Sequence, residues 1–433
     1  MNRSTLVRGA VLYGARVCYG LLLLAASVII ARLYGPYGLG VYALLLTLTN
    51  LGGIIAVFGI NTVIIERLPI LRLRPDADVA VPRYLRSALA FVTVSGVIAT
   101  ALSAVVAWIV VPDLRWAAVT VLFIAWSTLF LSFLLSEHRQ VLAASLESVM
   151  RPAVYVALLV ALGLAGAGYQ LTISTALIAS LGLLAVVSGA LYLRVALRKA
   201  HSTRAPHAPG LDAEPESSSE PAVVTRAHAG HGGIYMLIAL MTAGAQQLDR
   251  FVLELLTTTD EVGIYSSAQN VMNIVTYAML ALMSLLLPAI AEWQAGSLNE
   301  EEFTRRCRLV SRALTALAGL VVLACVIGGD YILGIFGSDF LPGRNALIVL
   351  AAGQLVSAAL GVASTVLSIG QHRLMALALV TGTVIVNVVL CFVFIPMWGI
   401  TGAALANAVA LVSNRLAGHI ILKRRRGLSL TAW

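Results

Sequence analysis

The sequence predicts an all-α integral membrane protein with about twelve transmembrane helices in two six-helix bundles, one a parallel repeat of the other. Three observations lead there. Of 433 residues, 60% are hydrophobic and only 11% charged, at a mean hydropathy of +0.93, whereas a soluble chain carries about a quarter charged residues. Apolar runs of roughly twenty residues, the length a helix needs to cross a bilayer, recur from end to end. A short glycine-tyrosine motif also returns in the second half of the chain.

The runs place spans at 7–33, 39–65, 85–111, 116–136, 148–168 and 171–193, then at 232–256, 262–289, 310–336, 345–368, 374–396 and 399–422. The first follows Arg3 and Arg8, is interrupted by Arg16, and has no small-residue cleavage site behind a short apolar region. It reads as a retained helix, not a signal peptide. The connections alternate in charge. Both termini and the loops after even-numbered helices hold 23 of the 29 lysines and arginines, and the opposite side holds only Arg32, Arg115 and Arg344. Positive charge collects on the cytoplasmic side, so both termini are expected there, in a multi-pass protein of the cell (plasma or inner) membrane. The net charge of +9 then reflects topology and anionic inner-leaflet lipid, and no nucleic-acid partner is expected.

Two stretches stand apart from the spans. Residues 195–230 carry Pro206, Pro209, Pro215, Pro221 and the run Ser217-Ser218-Ser219. That composition predicts a flexible cytoplasmic linker between an N-terminal bundle at 1–194 and a C-terminal bundle with a basic tail at 231–433. The scatter of His201, His207 and His228 there, with His231 just beyond, has no ligand spacing, and no metal site is expected. Residues 297–312 read as a short surface helix, with Asn299 as its cap and Glu302 three residues on. The cysteines Cys18, Cys307, Cys325 and Cys391 stand alone, as small packing residues.

The repeat aligns Gly38-Leu39-Gly40-Val41-Tyr42 with Glu261-Val262-Gly263-Ile264-Tyr265, at an offset of 223 residues. Both copies open an even-numbered helix after an outward turn, which makes the halves parallel. Parallel repeats are common in transporters that rock two bundles about a central site. The offset also exposes a polar face. Ser266, Asn270, Asn273, Tyr277 and Ser284 share one stripe of helix 8, and Thr47, Asn50 and Asn61 sit at equivalent positions on helix 2. Amides facing lipid are costly, so the stripe either binds neighbouring helices or lines a water-filled cavity.

Several motifs then resemble those of Wzx-type polysaccharide flippases, within the multidrug/oligosaccharidyl-lipid/polysaccharide (MOP) exporter superfamily that includes the MATE transporters. They are Ala31-Arg32-Leu33-Tyr34-Gly35-Pro36-Tyr37-Gly38-Leu39-Gly40-Val41-Tyr42, Leu248-Asp249-Arg250 with Val262-Gly263-Ile264-Tyr265, Gly337-Ser338-Asp339-Phe340, and Asn387 with Ile395-Pro396 and Gly399-Ile400-Thr401-Gly402-Ala403-Ala404. The resemblance implies alternating-access transfer of a polyprenyl-diphosphate-linked oligosaccharide from the cytoplasmic to the outer leaflet, for cell-surface polysaccharide. It implies no catalytic residue and no resident cofactor, with membrane lipids and polymerase or glycosyltransferase machinery as partners. A drug or cation antiporter of the same superfamily is the nearest alternative. A membrane polymerase or ligase is a further one, disfavoured because the outward loops, such as 112–115 and 397–398, are short and carry no histidine.

A diphosphate calls for cations, and arginine grips phosphate oxygens with two parallel bonds. Arg16, about 13 Å into helix 1 at 1.5 Å per residue, is a candidate, with snorkelling to headgroups as the competing reading. Arg32 and Arg250 are further candidates, each rivalled by an interface or ion-pair role. Asn50, Asn270, Asn273 and Tyr277 are candidates for the sugar. Arg415 is expected to snorkel towards the Lys423–Arg426 cluster. If a proton or Na+ drives transport, Asp249 and Glu66 are the coupling candidates; the membrane potential is a third source of drive.

Overall fold

The computed structural model describes residues 3–73, 76–110, 112–137, 139–202, 221–284, 286–294, 296–364, 366 and 373–426. The main elements among them are α1 (Arg3–Val57), α2 (Ile60–Leu71), α3 (Ala77–Val110), α4 (Thr120–Ser136), α5 (Gln140–Ser145), α6 (Arg151–Leu164), α7 (Tyr169–Ser202), α8 (Pro221–Leu256), α9 (Thr259–Ser284), α10 (Leu286–Gln294), α11 (Glu300–Gly334), α12 (Arg344–Ala359) and α13 (Arg373–Arg426). No strand occurs among the described residues. The fold is an all-α membrane protein with about twelve passes. Eight stretches are long and apolar enough to cross a bilayer, and two of them, Val17–Val57 and Leu377–Arg424, are long enough to hold two passes each.

Glycines divide those two. In α1 the break is Gly35, at φ 66° and ψ −164°, a backbone state that glycine reaches without a Cβ clash. Pro36 follows, its fixed φ suited to a first helical turn. In α13 the break is Gly399, at φ 55°. The expected span 39–65 is itself interrupted. Phe58 has φ 51° and Gly59 φ 71°, and Phe58 is the only positive-φ residue other than glycine among those described. The span expected at 148–168 begins earlier, at Gln140, and passes through a π-helical turn at Leu146–Met150. Pro152 accounts for that turn: it has no N–H to donate and its ring crowds the carbonyl four residues back, which a wider turn relieves.

Two other expectations change. The surface helix at 297–312 is the first part of α11, continuous with the following span, though its cap is as read: the Asn299 side chain accepts from the Glu302 N–H at 3.0 Å. The linker at 195–230 is shorter than its composition suggests, because α7 runs to Ser202 and α8 starts at Pro221. Proline at the first position of a helix sacrifices no hydrogen bond, so Pro221 starts α8 where it was read as linker. Residues 203–220 lie outside the described set.

The chain forms two compact units, one of Met1–Thr47, Tyr155–Ile173 and Met241–Trp433, the other of Leu48–Val154 and Ser174–Leu240. In the second, Ile60, Ile64 and Leu68 pack with Ala88, Val92, Val121, Leu129 and Phe133, and Tyr192 stacks on Phe133 at 4.8 Å. Gly53 admits the Ile124 side chain: a Cβ there would stand 2.6 Å from it. In the first unit, Leu286, Phe303, Cys307, Leu314, Val362 and Leu422 form the core. Trp293 stacks on Phe303 at 4.6 Å, and Gly418 lets Ser364 approach so that a Cβ would stand 2.7 Å away. Small residues at such crossings let backbones meet, which is how helices associate where lipid removes the hydrophobic drive.

Candidate functional site

The longest helices that do not meet the apolar requirement for a span are α8 and α9, with 36 and 26 residues. On them Asp249, Arg250, Ser266, Ser267 and Gln269 are buried. The first compact unit brings the two copies of the repeat together. Gly40 lies against the carbonyl of Thr259, and Gly263 against the carbonyl of Pro36. Thr259 and Pro36 are themselves 223 residues apart, as are Gly263 and Gly40. The contact is thus reciprocal, with each repeat offering a glycine to the other's turn, as in a two-fold interface. Leu39, Val41, Tyr42, Val262 and Tyr265 around it are buried.

The two tyrosines of the motif then diverge. Tyr42 stacks on Tyr155, with ring centroids 5.6 Å apart and planes at 12°. Tyr265 donates its hydroxyl to Asp249 Oδ2 at 2.6 Å. The same oxygen accepts from Gln269 Nε2 at 2.7 Å and from Asn407 Nδ2 at 2.9 Å. The other oxygen, Oδ1, accepts from the Arg250 backbone N–H at 2.9 Å. Arg250 donates Nε to Gln269 Oε1 at 2.7 Å. Asp249 and Arg250 are almost wholly buried, at 1% and 8% exposure. Gln269 therefore bridges a buried carboxylate and a buried guanidinium, accepting from one and donating to the other. Helices α8, α9 and α13 are tied by one carboxylate. Such a group is tolerable inside a bundle because its lone pairs are answered.

The other predicted residues are distributed as follows. Arg32 is exposed, and its Nε and Nη2 donate to the carbonyls of Ile335 and Gly334 at 2.8 and 2.7 Å, the C-terminal end of α11, where a cation also meets the helix dipole. Replacing Arg32 with glutamine should lower stability by about 1 kcal/mol, measured by thermal denaturation in detergent. Asn270 donates to Ser27 at 2.9 Å, and Asn273 is exposed. Arg16 lies in α1 and Tyr277 in α9, but their side chains fall outside the described residues. In the second unit, Glu66 accepts from Tyr235 at 2.8 Å, and Asn50 is half-buried. Arg415 does not snorkel: it donates to Ser357 at 3.3 Å and Ser364 at 2.9 Å. Two hydroxyls, Ser357 on α12 and Ser364 beyond its end, hold the guanidinium.

Gln269, Asn407 and Ser27 were not singled out by the sequence. Gln269 follows Tyr265 by four residues on α9, so the two share a face; a search for partners one turn from the motif tyrosine finds it. Asn407 and Ser27 have no such local signal.

Comparison with known proteins agrees with this architecture. The polysaccharide biosynthesis protein family matches residues 7–294. A curated relative, the probable low-salt glycan biosynthesis flippase Agl15 of Haloferax volcanii, is 29% identical over 172 residues, which is 39% of this chain and 35% of that protein. The match thus spans about a third of the relative. Among solved structures, the fold is similar to an inward-facing multidrug resistance MATE family transporter of the MOP superfamily, with a TM-score of 0.67, 14% identity and 94% of each chain covered. It is also similar to the lipid II flippase MurJ in an inward closed conformation, with a TM-score of 0.64, 14% identity, and 96% and 87% of the two chains covered.

Proposed function

Because the chain belongs to the polysaccharide biosynthesis protein family, we propose that it is a flippase carrying a polyprenyl-diphosphate-linked oligosaccharide from the cytoplasmic to the outer leaflet. Alternating access moves the cargo, both termini lie in the cytoplasm, and the product feeds cell-surface polysaccharide synthesis. The observation that carries this reading is the reciprocal contact of Gly40 with Thr259 and Gly263 with Pro36. Two parallel repeats meeting through equivalent turns have the symmetry that rocking transport uses. The flippase name of the curated relative supports the cargo class, and the fold shared with MOP transporters supports the transport mode.

The headgroup cannot cross hydrocarbon unaided, because a diphosphate stripped of water and partners is prohibitively costly. Arg16 and Arg32 supply cations for it, and Asn50, Asn270, Asn273 and Tyr277 supply polar groups for the sugar. Arg250 is held by Gln269, so its part in cargo binding requires that bond to exchange. Asp249 and Glu66 are the acids through which a proton or Na+ would couple. A diphosphate carries about two negative charges, and each gains roughly 2.3 kcal/mol per 100 mV on moving outward across an inside-negative membrane. The potential alone can therefore drive export.

The test depletes the protein and measures which leaflet holds the lipid-linked oligosaccharide. Accumulation in the inner leaflet, reversed by re-expression, is expected. Normal outer-leaflet delivery in cells lacking any other flippase would move the assignment to a drug or cation antiporter. In liposomes, collapsing the potential should slow transfer; an unchanged rate removes the electrical contribution.

A further inference from the structure

The chain passes from α1 to α2 through an unusual turn. Phe58 has φ 51° and Gly59 φ 71°, and a left-handed residue with a side chain persists only where its surroundings hold it. Helix α3 supplies part of that hold. Ser95 donates to the Ala56 carbonyl at 2.5 Å, and the Phe91 ring meets the Phe58 ring edge-on at 5.9 Å. The turn presents bare backbone, and α8 lies against it. A Cβ on Gly59 would stand 2.3 Å from the Gly232 carbonyl oxygen and 3.0 Å from the Met236 nitrogen, and one on Gly232 would stand 2.7 Å from the Phe58 carbonyl oxygen. One turn on from Gly232, Tyr235 donates its hydroxyl to Glu66 at 2.8 Å. All of these residues belong to the second compact unit.

The two sides of this contact are held unequally. Helix α2 is fixed: Ile60, Ile64 and Leu68 sit in the core with α3 and α4, and Arg72, just past its end, pairs with Glu137. Residues 232–240 of α8 are held lightly. Only Gly232 among them is buried, and Ile234 and Leu237 are 44% and 40% exposed. Glycine against glycine interlocks no side chains, and the Tyr235–Glu66 bond is exposed, so water can replace it at little net cost. A close fit with few anchors can part without disturbing the core. Gly232 and Tyr235 come from the second repeat, Gly59 and Glu66 from the first. Gly40, where the repeats meet through their turns, opens the span 39–65, and Glu66 follows its last residue beside Arg67.

We propose that residues 232–240 of α8 are a strap that closes the cytoplasmic end of the transport path. The strap docks on the Phe58–Gly59 turn, is fastened by Tyr235 to Glu66, and lifts off when the path opens to the cytoplasm. Alternating access requires contacts between the repeats to part on one side at a time, and this contact is built to part. The inference rests on the flippase reading for what passes the strap and for which side is cytoplasmic; the docking itself does not depend on it.

Spin labels on cysteines at positions 70 and 237, both exposed, report the docking by double electron–electron resonance. The full-length protein is used in lipid nanodiscs and carries Cys18→Ser, the other three native cysteines being buried. The otherwise unchanged chain should give mainly one short distance. Gly232→Ala sets a methyl group against the Phe58 carbonyl and should move most of the population to a longer distance. Gly233→Ala should stay docked, because its Cβ only reaches ordinary contact with the Phe58 ring, at 3.8 Å. Tyr235→Phe keeps the ring but loses the bond, and should raise the lifted population about tenfold. An unchanged distance in Gly232→Ala would overturn the strap. Its part in transport is read separately, by joining the same two cysteines with a reducible bismaleimide matched to the short distance. Transfer of the lipid-linked oligosaccharide should stop and resume on reduction. Transfer at the unbridged rate with the bridge in place would overturn the strap and leave the flippase assignment standing, since the depletion experiment decides that assignment.

Discussion

Replacing Asp249 with alanine should destabilise the protein by about 3–5 kcal/mol, the cost of removing one partner from a buried ionic network. The carboxylate accepts from Tyr265, Gln269, Asn407 and the Arg250 backbone, and a methyl group offers no acceptor in its place. Alanine would leave three side-chain donors unanswered and the Arg250 guanidinium without a nearby anion. Asparagine keeps the size and one accepting oxygen, so Asp249→Asn should fall between wild type and alanine. The decisive comparison is a double-mutant cycle. Arg250→Gln alone strands the carboxylate, whereas Arg250→Gln combined with Asp249→Asn makes the pair neutral on both sides. The double variant should therefore be more stable than the sum of the singles implies, by about 1–3 kcal/mol. Thermal denaturation in detergent reads all four proteins. Additive effects would mean that the two charges do not sense each other, and an alanine cost below about 1 kcal/mol would remove the network as the tie between α8, α9 and α13.

Much of this architecture is written in one-dimensional pattern. Runs of apolar residues mark membrane passes because a bilayer imposes a length, and the count of about twelve follows from that alone. Glycine 35 and glycine 399 are also visible as short breaks between runs. The break at Phe58 and Gly59 is hidden inside an apolar run, because hydrophobicity has no component that reports backbone φ. What packs against it lies far along the chain: Gly232 comes so close that a Cβ there would stand 2.7 Å from the Phe58 carbonyl oxygen. The polar network shows the same division. Asp249 and Arg250 are conspicuous in a span, since ionisable groups there are rare. Asn407, 158 residues away from Asp249, is one amide among several in its run, and nothing local says that it faces the acid. Arg415 failed for a related reason. Proximity to a basic cluster suggests an outward path for its side chain, while the hydroxyls that hold it, Ser357 on α12 and Ser364 past its end, lie 58 and 51 residues away in the chain.

The reciprocal glycine contact leads to the second large effect. A methyl group at position 40 would meet the Thr259 carbonyl, and one at position 263 the Pro36 carbonyl; both obstacles are backbone. A flexible side chain could turn aside, but a helix-opening turn cannot move without carrying its helix with it. Gly40→Ala and Gly263→Ala should each disfavour this arrangement of the repeats by more than the roughly 1–3 kcal/mol typical of overpacking. Gly328 and Gly382 supply the control, because a Cβ at either meets nothing within 4 Å; alanine there should be neutral or should stabilise the helix by up to about 1 kcal/mol. The measurement pairs two readouts, the rate of disulfide cross-linking between cysteines placed at positions 37 and 260, and transfer of the lipid-linked oligosaccharide. Both alanine variants should insert normally, cross-link slowly and lose transport to a similar degree. The similarity is the informative part, since it follows only if the contacts at the two glycines are equivalent. A large loss at Gly40 with wild-type behaviour at Gly263 would show that one repeat alone bears the contact, and the symmetric account of how the halves meet would fall.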